Sequence, residues 1–219
     1  MIDFGGDGSL SLRTVQLFLL VTVLSLAPGL AIMITCFPFM VTVLSILRQA
    51  IGVQQAPPNM MIVSLALFLT YFVMEPVFTE AWTTAIRPGI DGDIDPETAF
   101  TLGLEPFRAF MGARTDPETV RLLVDAAGRP APEGPLEAAP LQVLIPSFLL
   151  SEIQRGFEVG FLVFLPFLII DLVIAAILMS MGMMMVPPVV VSLPFKLAFF
   201  VLADGWSLLA GAMIRGYGS

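Results

Sequence analysis

The sequence predicts an all-α protein of membrane-associated helical hairpins, interrupted by a small helical extracytoplasmic insertion. The first indication is composition: 57% of the 219 residues are hydrophobic, 13% are charged, and the mean hydropathy is +0.93. An ordinary soluble domain carries about 25% charged residues. The second indication is that the apolar residues fall into four long runs, with one polar segment in the middle. Much of the surface is therefore expected to contact something other than water.

The apolar runs define four predicted helical elements, each close to or above the roughly 20 residues that a spanning helix needs. They are Leu12–Leu47, Met60–Phe78, Val159–Met181 and Val189–Ile214. The first run is too long for one span, because the 34 uncharged residues from Thr14 to Leu47 would form a helix of ~51 Å. Pro28-Gly29 and Pro38 are expected to break it, since proline removes a helical hydrogen bond and clashes with the preceding turn.

The polar segment divides the chain into three regions. Residues 80–140 hold eleven acidic residues, five arginines and eight of the eighteen prolines, which gives a net charge of −6. We interpret this segment as a water-exposed insertion. It separates an N-terminal hydrophobic hairpin at residues 1–79 from a C-terminal hydrophobic hairpin with a methionine-rich loop at residues 141–219.

Two helices are predicted inside the insertion, Thr98–Met111 and Pro117–Ala127. Asp116 is placed to cap the start of the second helix, and Gly128 is placed to end it. Ile86–Pro96 is predicted to be a loop, because it contains a Pro-Gly and an Asp-Gly pair, both of which are turn signals.

The basic residues predict the orientation. Short cytoplasmic loops are enriched in lysine and arginine, and the loop Arg48–Asn59 contains one arginine and no acid. This loop is therefore predicted to be cytoplasmic and the insertion extracytoplasmic. The chain opens with Asp3 and Asp7 ahead of Arg13, which is not typical of a secretory signal peptide, because such a segment opens with positive charge.

Several classes of function are disfavoured by what the sequence lacks. It contains no histidine, one cysteine and one lysine, so the commonest general base and paired-cysteine metal sites are absent. A net charge of −8 does not suit a nucleic-acid-binding protein, which needs a basic surface. No phosphate-binding loop, nucleophile elbow or zinc-protease motif is found. We therefore predict a protein that is not an enzyme and that binds no metal, cofactor or nucleic acid.

A methionine-rich segment is the most distinctive local feature. Five of the thirteen methionines lie between Met179 and Met185, followed by Pro187-Pro188. Gly182 and the proline pair predict non-helical backbone, which is tolerated at membrane depth only inside protein or beside a cavity. Flexible thioether side chains there would form a deformable apolar collar that closes a pore by packing and dewetting. The alternative is that the methionines simply fill gaps in an apolar core.

Isolated charges in apolar surroundings are the other candidate functional residues, because a charge inside a spanning segment usually has a partner or lines a water-filled path. They are Glu75, Glu152, Glu158, Asp171, Lys196 and Asp204. Glu75 and Asp204 flank apolar ends and are interpreted as structural. The predicted partners of Lys196 are Glu152 and Asp171, and a proton relay through Asp171 is the competing hypothesis. Gly156 and Gly160, four residues apart, form a weak helix-packing signal.

Five motifs, in order, closely resemble the FliP family of flagellar type III export-gate proteins. They are Gln55-Ala-Pro-Pro-Asn59, Leu65-Ala-Leu-Phe-Leu-Thr70, Pro166-Phe-Leu-Ile-Ile-Asp-Leu-Val-Ile-Ala175, Met181-Gly-Met-Met-Met-Val-Pro-Pro188 and Leu193-Pro-Phe-Lys-Leu197. The injectisome relatives share much of this pattern. Pro187-Pro188 and Phe200-Val-Leu-Ala-Asp-Gly-Trp206 are more similar to the flagellar branch. The chain departs from the family at Phe39, where a basic residue is common.

The resemblance implies a pore subunit in the bacterial inner membrane, within the flagellar basal body and extending to its periplasmic side. Five copies would assemble with FliQ and FliR into a ring or helical pore complex, with FlhA and FlhB nearby, and unfolded flagellar proteins would pass through it. The family's pore gasket maps onto Met181, Met183, Met184 and Met185. Glu152 and Lys196 would be buried where neighbouring copies can pair.

Other functions stay open from the residues alone. One is an injectisome export-gate homologue. Another, from a different class, is a small proton-coupled membrane carrier that uses Asp171. The last is a membrane scaffold without a pore.

Overall fold

The computed structural model describes residues 14–19, 21–22, 25, 29, 31–53, 57–132 and 134–217. Within these ranges the regular structure is entirely helical and contains no strand, which confirms the predicted all-α class. Pro28, Gln55 and the opening residues with Asp3, Asp7 and Arg13 lie outside the described part of the chain. The expectations that rest on them have no structural counterpart here.

Helical backbone is described at positions between 14 and 33, and the elements that follow are numbered from there. They are α1 (Phe37–Ile51), α2 (Asn59–Ala81), a π-helical turn (Trp82–Ile86), α3 (Arg87–Asp91), α4 (Pro96–Arg114), α5 (Pro117–Ala126), a 3₁₀ turn (Leu136–Ala138), α6 (Leu141–Ser180), α7 (Pro188–Leu202) and α8 (Gly205–Arg215).

The predicted break near Pro38 is confirmed. The chain turns at residues 34–36, and Pro38 lies in the first turn of α1. Backbone N–H groups in the first turn of a helix have no carbonyl partner within that helix, so the proline costs no hydrogen bond there. The Thr35 hydroxyl supports the turn by donating to the Ile32 carbonyl at 2.7 Å and accepting from the Phe37 N–H at 3.3 Å. Thus the proline starts a helix here and does not kink one.

The loop predicted over Ile86–Pro96 is wrong in its first half, because helical backbone continues from α2 through the π-helical turn to Asp91. Pro88 lies in the first turn of α3, where proline is tolerated. The helix ends only at Gly92, whose φ of +83° is the left-handed conformation that favours glycine.

The two predicted helices of the insertion are confirmed as α4 and α5. Each is capped by the aspartate that precedes it: Asp95 accepts from the N–H groups of Glu97 and Thr98, and Asp116 accepts from those of Glu118 and Thr119. The hydroxyls of Thr98 and Thr119 also donate to these two carboxylates. Together the hydrogen bonds lower the pKa of Asp95 and of Asp116, and the hydroxyls make the largest contribution. After α5, Gly128 has a φ of +62°, as its predicted role as a helix stop requires.

The third element is much longer than its prediction, because α6 runs for 40 residues and begins directly after Pro140. At 1.5 Å per residue it is ~60 Å long, twice the thickness of a hydrocarbon core. Gly156 and Gly160 pack it against α1: a methyl group on Gly160 would lie 2.3 Å from the Ile46 Cδ1 atom, and one on Gly156 would lie 3.0 Å from Thr42. The glycine pair therefore brings two helices of one chain together.

The fourth predicted element is wrong as a single helix, since α7 and α8 meet at an angle of 61°. Asp204 lies at the bend with φ 49° and ψ 47°, and its carboxylate accepts from the Ser207 hydroxyl at 3.0 Å. The ring of Phe200 fills the inside of the bend, where a methyl group on Gly205 would lie 2.2 Å from it. Only glycine fits that close approach.

Two helical stretches in the described part of the chain are long and apolar enough to cross a membrane. They are Asn59–Asp91 and Leu141–Ser180, and the bent pair α7–α8 passes the same test if counted as one span. These helices fit a membrane location.

Candidate pore hairpin and buried ion pairs

The loop between α6 and α7, residues 181–187, is called the methionine loop below. It opens with two bonds that close the end of α6: the Gly182 N–H donates to the Met179 carbonyl at 3.0 Å and the Met183 N–H donates to the Leu178 carbonyl at 2.9 Å. With Gly182 at φ +77°, this is a Schellman motif, which satisfies the last carbonyls of a helix. Pro187 precedes α7 as its N-cap residue, and Pro188 is the first residue of that helix.

The side chains of the methionine loop point away from the rest of the described chain. Met184 and Met185 are 85% and 97% exposed, and Met181 is 65% exposed. Met183 is the least exposed of the four predicted gasket residues, at 36%. Apolar side chains on the adjoining turns are exposed as well, among them Ile177, Met179, Val189 and Val190. The end of the hairpin thus presents an uncovered apolar surface that carries no charge.

Ten residues before the loop, a polar cluster that we call the neck joins α6, α7 and α1. The Lys196 ammonium lies 2.5 Å from the Asp171 carboxylate and donates to the Ala50 carbonyl at 3.0 Å. Ser192 donates to the other Asp171 oxygen at 2.5 Å. Lys196 is buried and Asp171 is partly exposed. Because Ala50 is in the last turn of α1, the cation also lies where a helix dipole is negative.

A second buried cluster surrounds Glu152, which is fully buried on α6. Its carboxylate accepts from Arg114 at 3.2 Å and from Arg155 at 3.4 Å, and the Tyr217 hydroxyl donates to its second oxygen. Arg114 also donates to the Gly216 carbonyl at 2.8 Å, and its guanidinium lies 4.0 Å from the centre of the Tyr217 ring. The cluster therefore ties the end of α4 and the C-terminal residues to α6.

The sequence model of the FliP family matches residues 20–213, a range that includes both clusters apart from Gly216 and Tyr217. The chain belongs to the FliP family. The resemblance predicted from the five motifs is thereby confirmed.

Curated FliP-family relatives match almost the whole chain. The flagellar biosynthetic protein FliP of Caulobacter vibrioides is 49% identical over 99% of this chain and 81% of its own length. The protein of the same name in Agrobacterium fabrum is 47% identical, over 96% of this chain and 86% of its own. That of Bacillus subtilis is 45% identical, over 93% and 92%.

In this FliP-family chain, the predicted charge partners are only partly brought together. Lys196 pairs with Asp171, one of its two predicted partners, whereas Glu152 is held by arginines in the other cluster. Lys196 and Glu152 therefore form no pair with each other within the described chain. Pairing of either residue with a neighbouring copy stays a prediction.

The remaining isolated charges, Glu75, Glu158 and Asp204, are exposed, the first two on helices and the third in a turn. Glu75 accepts from the Thr79 hydroxyl at 3.1 Å, and Glu158 accepts from the Gln154 amide at 3.2 Å. Asp204 is at the α7–α8 bend. None of the three is in an ion pair within the described residues.

Sequence reasoning missed Arg114, Tyr217 and Ser192 as members of these clusters. Arg114 and Tyr217 are 38 and 65 residues from Glu152 in the chain, so no local spacing connects them. Burial, followed by proximity to Glu152, raises the pKa of Tyr217 and keeps its hydroxyl a hydrogen-bond donor. Phe39 is buried, with its ring 5.4 Å from that of Tyr217. Ser192, by contrast, lies one helical turn before Lys196, a spacing that could have suggested it.

Proposed function

We propose that the chain is a subunit of the flagellar type III protein export gate and forms the pore through which unfolded flagellar proteins cross the inner membrane. Family membership and the name of the relatives support the flagellar assignment. The single observation that carries the pore role is the methionine loop, whose exposed thioether side chains extend from an uncharged hairpin tip. An apolar tip of this kind is costly in water and is stabilised by packing against similar tips.

Five copies would arrange these tips around one axis, with FliQ and FliR completing the assembly and FlhA and FlhB beside it. Met181, Met183, Met184 and Met185 would form the collar. The large exposed apolar area of α2, α6 and α7 supports an assembly of this type, because one chain cannot cover it. The insertion would face the periplasm. The role is structural and conductive, with no catalytic step and no cofactor.

The contacts in the neck favour the pore subunit over the alternative, a proton-coupled carrier that uses Asp171. A proton-carrying carboxylate needs to be free to gain and release a proton, whereas both oxygens of Asp171 have partners at 2.5 Å. Asp171 is therefore better suited to holding the hairpin together than to carrying protons.

The pore role is tested by shortening or shrinking the collar. Deletion of residues 183–185, or alanine at Met183, Met184 and Met185, is expected to make the membrane leak small ions while the complex still assembles. Ion leak is measured in cells, and the mass and symmetry of the complex are measured by native mass spectrometry. The matched control is alanine at Met60 and Met61, which are exposed methionines outside the loop.

Sealed membranes in the collar variants, with the complex intact, would show that the methionine loop is not the seal. A complex without five copies of the chain would contradict the ring. A solute moved by the purified chain alone in liposomes would favour the carrier.

A further inference from the structure

An apolar groove runs between α1, α2 and α8. It consists of two adjoining hollows of about 230 and 400 Å³ that share the side chains of Leu44, Leu65 and Trp206. Apart from Ser207, the other side chains that line it are apolar. Because the walls are three helices of a single chain, the concavity is present before any other copy of the chain is added, and its size is that of a small-ligand site.

One cation lies at the end of this groove where α1 meets α2. Arg48 is one helical turn after Leu44, and its guanidinium donates to the side-chain carbonyl of Asn59, two residues before Met61 of the groove lining. Between positions 14 and 74 it is the only charged residue in the sequence. Among the described residues no carboxylate lies within 4 Å of it. The groove therefore ends at a positive charge that the described chain does not neutralise.

We propose that the groove binds one monoanionic phospholipid, with the phosphodiester on Arg48 and an acyl chain along Leu44, Leu65 and Trp206. A guanidinium binds phosphate oxygens through paired N–H bonds, and apolar walls are stabilised when methylene groups cover them. Arg48 belongs to the loop that we predict to be cytoplasmic, and basic sites on that side of a membrane attract anionic headgroups. One protein charge matches one lipid charge.

The site is compatible with assembly of several copies. A guanidinium carries five N–H donors, so the bond to Asn59 leaves donors for the phosphodiester. An acyl chain seated inside the groove stays there when another copy covers the opening, because the lining belongs to one chain. The proposal depends on the membrane location of the chain and is independent of the pore role.

Binding is tested by native mass spectrometry of the intact export complex, in detergent that contains equal amounts of dioleoyl phosphatidylglycerol and dioleoyl phosphatidylcholine. The two probes have the same tails and differ in headgroup charge. We expect the complex to retain phosphatidylglycerol, at up to one molecule per copy of the chain, with a preference of roughly fivefold. Arg48→Gln is expected to lose the preference and Arg48→Lys to keep most of it. Arg121→Gln, on the exposed side of α5, is the charge-matched control.

The groove itself is tested by Ala210→Phe, which places a ring in the larger hollow and leaves Arg48 unchanged. Retention of both lipids is expected to fall roughly fivefold, because the acyl chain loses apolar contacts. Leu208→Phe, an exposed position on the same helix outside the lining, is the matched control. Glycerol phosphate, which has the anionic group without tails, is expected not to displace the lipid.

Several results would overturn the proposal. Equal retention of the two lipids, or a preference that survives in Arg48→Gln, would show that Arg48 does not hold the headgroup. Displacement by glycerol phosphate, or full retention in Ala210→Phe, would show that the groove does not hold the tail. A complex without lipid would show that protein, such as a second copy, fills the groove. Collar variants that stay sealed contradict only the pore role, because lipid retention does not depend on the collar.

Discussion

The insertion makes hydrogen bonds at the ends of its helices and along its connector, whereas the tip of the α6–α7 hairpin is left uncovered by the residues that the structure describes. Both helices of the insertion are N-capped by aspartate, and Arg108 donates to the carbonyls of Glu137 and Ala139 across the connector. The hairpin instead exposes Met184 and Met185, and its polar contacts lie a helical segment away, at the neck.

The difference shows how one chain divides its roles. A segment whose helix ends and connector are hydrogen-bonded within the chain is stabilised by those local contacts. A segment that exposes apolar surface and relies on one buried ion pair depends on neighbours to cover it. Stability of the insertion should therefore respond to local capping, and stability of the hairpin to the neck.

The largest effect is expected at the neck, from Lys196→Met. Removing the cation leaves the Asp171 carboxylate without its charge partner and frees the hairpin from the Ala50 carbonyl. Loss of one partner of a buried ion pair costs about 3–5 kcal/mol. Thermal unfolding in detergent, followed by the fluorescence of Trp206 on α8, measures the loss.

The double variant Lys196→Met with Asp171→Leu is the matched control, because it replaces both charges with apolar groups and is expected to regain most of the stability. A double variant as unstable as the single one would show that the pair is not the source of the effect.

A smaller effect is expected from Arg114→Met, which loosens the attachment of the insertion to α6. Glu152 keeps Arg155 and Tyr217 as partners, so the cost is about 2 kcal/mol, the value of a hydrogen bond to a charged group. Hydrogen exchange in α4 and near Tyr217 is expected to rise, with the methionine loop unaffected. Arg121→Met, a change on the exposed side of α5, is the control. Equal exchange in both variants would contradict the prediction.

The smallest effect is expected at the caps of the insertion. Hydrogen bonds from Thr119 lower the pKa of Asp116 in the folded chain. Its contribution to stability is present above its unfolded pKa, about 3.9, and is lost as the pH falls through the lower folded value. Exchange protection of the α5 amides, corrected for the intrinsic effect of pH, should therefore be level from neutral pH to about 4 and fall below.

Asp116→Ala is expected to lower the protection of α5 at neutral pH and to reduce its fall in acid, whereas Asp125→Ala near the end of α5 leaves both unchanged or improved. If the exchange protection of α5 in Asp116→Ala still fell in acid as much as in the unsubstituted chain, another group would be responsible for that fall.

The features that could be predicted from the sequence are those that depend on neighbouring residues. Asp116 and Gly128 bracket α5 because caps and stops act within a turn. The neck pair was partly predictable, since Lys196 is the one lysine of the chain and Asp171 one of few acids in the apolar runs.

Other features depend on contacts between distant parts of the chain. The bend at Asp204 is held by Phe200, which packs over Gly205. The Asp-Gly pair is a turn signal, but it lies inside one long apolar run that was predicted as a single element. Helix α6 begins 18 residues before its predicted start at Val159. The prediction began only after the charged residues Glu152, Arg155 and Glu158, whereas in the structure Glu152 is buried inside the helix with Arg114 and Arg155 as partners.

The length of α6 has a mechanical consequence. One continuous helix holds Phe148, packed against Phe110 of the insertion, and Leu178, beside the methionine loop. Pro146 and Pro166 lie inside this helix, and each marks a place where it can bend. Between Phe148 and Leu178 the helix still spans about 45 Å, and a tilt of about 5° at one end moves the other end by about 4 Å. A push on the insertion would therefore reach the methionine loop as a displacement wider than a water molecule.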